Sequence, residues 1–94
     1  MNYYAAIRAF LVTSEVGSFN IAAKKLSIKA STVSRYISGL ERDVGGTLFD
    51  RSTHGVVLTE RGVAFRGVVQ IAVKELDEAR NAVSALRKRE AVSS

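Results

Sequence analysis

Between Asn20 and Leu40 the chain has no acidic residue, while Lys24, Lys25, Lys29 and Arg35 give that stretch a local charge of +4. The same stretch carries Asn20, Ser27, Ser31, Thr32, Ser34, Tyr36 and Ser38, all able to give or accept hydrogen bonds. Lysine and arginine attract phosphates, and Arg, Ser and Thr can read the edges of bases. If residues 31–38 are helical, Ser31, Thr32, Ser34, Arg35 and Ser38 lie opposite an apolar stripe of Val33, Ile37 and Leu40. A helix of that kind fits the major groove of B-form DNA. Lys25 and Lys29 would flank it as phosphate contacts, and Asn20 would sit where first-turn amides can meet a phosphate. The same composition also describes a module whose basic face meets an acidic protein partner, and that alternative stays open here.

A second candidate set is Arg51, Ser52, Thr53 and His54, at the polar tip between two β-prone runs. One or two of these would touch phosphate or the minor groove. Arg51 could instead bond to the third helix or to Glu41. Catalysis is not expected: cysteine is absent, His54 is the single histidine, and no glycine-rich phosphate loop occurs. Asp50, Ser52 and His54 are close in sequence but match no triad spacing. The same counts give no reason to expect a metal or another cofactor.

These residues need elements to hold them. A first helix is expected from about Asn2 to Val16, with Tyr3, Ile7, Phe10, Leu11 and Ser14 near one face, and Gly17 ends it. Ser18 is the natural N-cap of a second helix over Asn20 to Leu26, where the small Ala22 and Ala23 allow close helix approach. The third runs from Ala30 or Ser31 to Val44 and stops at Gly45-Gly46. Leu48 to Arg51 and Val56 to Thr59 then form a hairpin. Tyr3, Tyr4, Phe10, Phe19 and Phe49 are expected in the core rather than as a base-stacking platform. Together these elements make a helix-turn-helix with its third helix as reader and the hairpin as a wing.

Thr59 is a plausible N-cap for a last helix from Glu60 to about Glu90, roughly 45 Å long at 1.5 Å per residue. Phe65, Val69, Ala72, Leu76, Ala79, Val83 and Leu86 repeat at alternating spacings of four and three, the seam of a coiled coil. A homodimer contact is expected there, aided by Val68, Ile71 and Val73 or by the first helix. Glu75 and Arg80 would face each other across a parallel pair, although exposed pairs weigh only about 0.2–1 kcal/mol. The division expected is a DNA-binding unit over residues 1–59 and a dimerisation helix and tail over 60–94.

Length and composition agree with this plan. With 94 residues, 47% of them apolar, the chain can form one compact domain with an added arm. Lys plus Arg is 14 and Asp plus Glu is 9, so the net charge is 14 − 9 = +5, a balance suited to a polyanion. No run approaches the ~18 apolar residues of a membrane span, and the N-terminus does not read as a signal peptide. A soluble, cytoplasmic protein with no membrane contact is expected.

Residues 1 to about 60 resemble the winged helix-turn-helix domain of LysR-type transcriptional regulators. The matching stretches are Phe10-Leu11, Gly17-Ser18-Phe19, Ala22 to Leu26, Ser34 to Ile37, Leu40-Glu41, Leu48 to Arg51 and Gly55 to Gly62, in the family's order and spacing. The resemblance implies a mainly α fold, with three helices and a β-hairpin wing followed by a long linker helix. It also implies a bacterial regulator that binds promoter DNA as a dimer through antiparallel linker helices. A small-molecule effector would act only through a C-terminal domain that this chain lacks, which makes a DNA-binding fragment the expectation. Ser34 and Arg35 match the family's contact positions. Where the family has Ser-Gln-Pro, this chain has Lys29, Ala30 and Ser31, and Ala30 cannot make the glutamine's hydrogen bonds. DNA binding therefore carries over and base preference does not. The helix cap is expected to move to Ser27 or Ser31.

Overall fold

The computed structural model describes the backbone of residues 1–52 and 54–93, and the side chains of residues 1–52 and 54–87. Helix α1 (Tyr3–Val16) begins at Asn2, whose side chain accepts from the Ala5 amide at 3.1 Å. It ends at Gly17, whose φ of 68° lets its amide turn back to the Thr13 carbonyl at 2.8 Å. Ser18 then caps α2 (Phe19–Leu26), its Oγ accepting from the Ile21 amide, as the sequence predicts. Ala22 and Ala23 are both buried where α2 meets its neighbours.

Helix α3 (Ala30–Val44) departs from expectation at its start. Its N-cap is Lys29, which has no side-chain acceptor to offer. Neither serine is free for the task. Ser27 closes α2 in the left-handed region at φ 57°, and Ser31 already lies inside the first turn. The Lys29 carbonyl accepts from both Thr32 and Val33 amides, tightening that turn. Gly45 ends α3 at φ 77°, and the Arg61 guanidinium donates to the Val44 carbonyl at 3.0 Å.

Strands β1 (Phe49–Ser52) and β2 (Gly55–Leu58) pair antiparallel, with Phe49 opposite Leu58 and Ser52 opposite Gly55. The Val56 amide donates to the Gly17 carbonyl at 3.2 Å, tying the hairpin to the α1–α2 corner. Thr59 does double duty at the end of β2. Its amide meets the Leu48 carbonyl, its hydroxyl donates to Thr47 and accepts from the Gly62 amide, and α4 (Glu60–Ser93) starts from it.

Phe10 lies at the centre of the core, with ring centroids of Phe49 and Phe65 at 5.4 and 5.2 Å. Val33, Ile37 and Leu40 of α3 are fully buried beside it, as their spacing predicts. Tyr3 departs from the expected core set: its side chain is 45% exposed, while Tyr4, Phe19 and Phe49 pack inward.

The last helix fixes the length of the molecule, which measures 57 × 25 × 22 Å. Its expected seam divides in two. Phe65, Val69 and also Val73 turn onto the domain's own core, so they are not free to face a second helix. Ala72, Leu76, Ala79, Val83 and Leu86 stand exposed, as do Val68 and Ile71. The reason is angular: where the domain still covers α4, burial steps by four residues from Phe65 to Val69 to Val73. Tyr4 of α1 reaches this helix, its hydroxyl donating to Oδ1 of Asp77 at 2.8 Å.

Candidate nucleic-acid interface

On α3 the buried stripe leaves an outer face, and the side chains expected there lie on it. Ser31, Arg35 and Ser38 are exposed, and Thr32 and Ser34 are half-buried at its borders. Arg35 reaches back along the helix, where its Nη2 lies 3.4 Å from Thr32 Oγ1. That bond is long, so the guanidinium is held loosely and keeps most of its donors unused. Ala30 is half-buried against the core and offers no polar group. Lys29 and Lys25 are exposed at the turn and on α2, and Asn20 is exposed in the first turn of α2.

The acid just past this face is removed from it by a structural task. Glu41 accepts the Leu48 amide on Oε2 at 2.8 Å, so its carboxylate is committed to the α3–β1 turn. Arg42 is exposed and sits one turn beyond Ser38 and two beyond Arg35. Sequence inspection passed over it because the acid-free window closes at Leu40; spacing of four and seven from Ser38 and Arg35 would have found it. Thr32, Arg35, Tyr36, Gly39 and Arg42 line an open groove together with Met1, Asn2, Tyr3 and the exposed Asp43. Gly39 leaves room there for the Met1 thioether, which lies where a Cβ would be.

At the hairpin, Arg51, Ser52 and His54 are all exposed, whereas Thr53 lies outside the described residues. Arg51 does not bond to Glu41 or α3. Its guanidinium lies over the Phe19 ring, 4.6 Å from the centroid. Ser52 shapes the turn: its Oγ accepts from the His54 amide at 3.2 Å and lies 3.4 Å from the Gly55 carbonyl.

The chemistry available is therefore a row of hydroxyl and guanidinium donors beside scattered lysines, suited to holding polyanionic oxygens. Among the described residues no group of three or more His, Asp or Glu could hold a metal ion. No helix among them is long and apolar enough to cross a membrane.

Comparison with known proteins places this architecture. The family described as "Bacterial regulatory helix-turn-helix protein, lysR family" matches residues 4–63. An uncharacterised HTH-type transcriptional regulator, y4mQ of Sinorhizobium fredii, is 40% identical over 72 residues, covering 77% of this chain and 24% of its own length. The HTH-type transcriptional regulator TfdT of Cupriavidus pinatubonensis is 39% identical over 59 residues, covering 63% of this chain and 26% of its own. The chain thus spans about a quarter of the length of these curated relatives. Among solved structures, the BenM_DBD/benA site 1 DNA complex aligns with a TM-score of 0.72 at 33% identity, covering 94% of this chain and 98% of that one. Vibrio fischeri DarR in complex with DNA aligns with a TM-score of 0.79 at 30% identity, covering 88% of this chain and 28% of that one. The family resemblance read from the sequence is borne out, and so is the winged helix-turn-helix fold it implies. The chain belongs to the LysR family of bacterial regulatory helix-turn-helix proteins.

Proposed function

We propose that this chain is the DNA-binding end of a transcriptional regulator, and that two copies joined through α4 seat their α3 helices in successive major grooves. The observation that carries this is the outer face of α3, where Ser31, Arg35, Ser38 and Arg42 stand exposed while the Glu41 carboxylate is turned into a backbone hydrogen bond. The DNA complexes of BenM_DBD and DarR, on the same fold, support it. They favour it over the alternative of an assembly module for an acidic partner.

In this reading residues 1–59 bind and residues 60–94 join the copies. Arg35 and Arg42 clamp phosphates or read guanine, and Ser31, Thr32, Ser34 and Ser38 supply small donors and acceptors to base edges and backbone. Asn20, Lys25 and Lys29 add salt-sensitive phosphate contacts, and Ala30 offers only an apolar surface. Arg51, Ser52, Thr53 and His54 of the wing meet the flanking backbone or minor groove. Leu76, Ala79, Val83 and Leu86, with Ala72, Val68 and Ile71, form the dimer seam. The function is regulatory rather than enzymatic, needs no cofactor, and is exercised in the bacterial cytoplasm. Because the match to this chain covers only about a quarter of the curated relatives' length, a small-molecule effector would bind a further domain of a longer protein.

A fluorescence anisotropy titration with duplexes chosen from a random library tests the proposal. Affinity falls steeply between about 50 and 200 mM salt, with a slope near −0.9 per phosphate neutralised. Arg35→Ala weakens binding about tenfold and flattens that slope by about one. A chain that ignores duplex DNA at low salt overturns the proposal.

A further inference from the structure

We propose that Tyr4, Asp77 and Arg80 form a latch that fixes the direction in which α4 leaves the winged domain, and so act as positioning residues for half-site spacing. The inference rests on the functional reading above for its DNA consequence, but the latch itself is a matter of geometry. The Tyr4 hydroxyl donates to Asp77 Oδ1 at 2.8 Å, and Arg80 donates to the same oxygen at 2.7 Å. Arg80 Nη2 also lies 3.4 Å from the Tyr4 hydroxyl, and its guanidinium is 5.9 Å from the centre of the Tyr4 ring. Two polar contacts thus join Tyr4 to residues more than seventy positions away, and the Arg80–Asp77 pair braces them from within α4.

The location gives these contacts their importance. Apolar burial of α4 against the domain ends at Val73. Asp77, one turn further, is half-buried, and every described side chain after it is exposed. Among the described side chains the latch is therefore the last hold the domain has on a helix that continues to Ser93. Those twenty residues span about 30 Å, so a tilt of about 10° at Val73 moves the far end by about 5 Å. That exceeds the ~3.4 Å step of one base pair. Asp77 and Arg80 are 35% and 66% exposed, so the pair does little to hold the domain folded. A contact can be weak as a stabiliser and still decide an angle when it sits at the base of a long lever.

Two measurements on the 94-residue chain test this, with Tyr4→Phe as the variant because the ring, which packs on the core, is retained. The chain has no cysteine, so Asp50→Cys and Ser84→Cys can carry a pair of spin labels, diluted with excess unlabelled chain to leave one labelled copy per dimer. The parent gives one narrow distance distribution; Tyr4→Phe widens it or shifts its centre by about 3 Å. On duplexes whose two half-sites are moved apart one base pair at a time, the parent has a sharp optimum. Tyr4→Phe reduces that discrimination about three- to tenfold, the factor one part-exposed hydrogen bond is worth, while affinity for a single half-site is unchanged. A distance distribution identical to the parent's overturns the latch, and an unchanged spacing optimum overturns its role in positioning. If the chain binds no duplex, the functional reading fails with the role in positioning, and the label distances still decide the latch.

Discussion

The Arg51 guanidinium lies 4.6 Å from the centroid of the Phe19 ring, so the wing's first strand rests a cation on the first residue of α2. Phe19 in turn meets Phe49 edge-on at 6.1 Å. Arg51→Ala should therefore lower unfolding free energy by about 0.5–1 kcal/mol. Arg51→Lys keeps the charge but loses the flat stacking group, so it should fall between the two. Urea unfolding at fixed protein concentration reads both, and parent-like stability in Arg51→Ala would deny the stack any weight.

Glu41 is a second residue whose loss should be felt away from its own helix. Its carboxylate accepts the Leu48 amide at 2.8 Å at a site where Leu48 itself is fully buried. Glu41→Ala leaves that part-buried donor without its partner and should cost about 1–3 kcal/mol. Glu41→Gln retains a neutral acceptor and should lose about half as much. Amide hydrogen exchange at Leu48 is the local readout: protection there should fall in Glu41→Ala and survive in Glu41→Gln.

Two glycines of α4 should respond to alanine in opposite directions. A Cβ at Gly62 would run into the Leu48 carbonyl and the Leu58 side chain, at a place where backbone cannot retreat. Gly62→Ala should lose about 2–3 kcal/mol. A Cβ at Gly67 meets nothing, so Gly67→Ala should gain the helix preference of about 0.8–1 kcal/mol. Thermal melts of the two variants separate by many degrees if the crowding at Gly62 is real.

Thr13 is fully buried, and its hydroxyl has no hydrogen-bond partner among the described residues. Replacing that group with a methyl removes an unmet polar demand. Thr13→Val should raise stability by about 1 kcal/mol, or about 4–8 °C in melting temperature for a domain this small. Thr13→Ser keeps the hydroxyl and loses packing, so it should be less stable than the parent. A stabilised serine variant would contradict the assignment.

Local rules explain which parts of this fold could be read from the sequence. Ser18 and Thr59 cap their helices as their types predict, and Val33, Ile37 and Leu40 bury the stripe their spacing demands. Those features depend on neighbours within one turn. The cap of α3 failed that logic because a serine two residues earlier was already used to end α2. On α4, heptad spacing marks an apolar face but cannot say what covers it: Val69 meets its own domain while Leu76 meets solvent. The hold of Tyr4 on Asp77 joins positions 73 apart and leaves no periodic trace. In the binding face, Ser31, Arg35 and Ser38 were legible as an acid-free run, and Arg42 was masked by the acids on either side of it.

The bond from the Val56 amide to the Gly17 carbonyl has an engineering consequence. It bolts the second strand one residue past Gly55, so the tip of the hairpin hangs from a fixed bracket. Peptides of different length or sequence could be grafted between Ser52 and Gly55 without unseating the bracket, with Gly55 itself kept because its φ is 118° and a Cβ there would meet the Gly17 carbonyl. Such exchanges would turn the wing into an interchangeable finger carried on an unchanged scaffold.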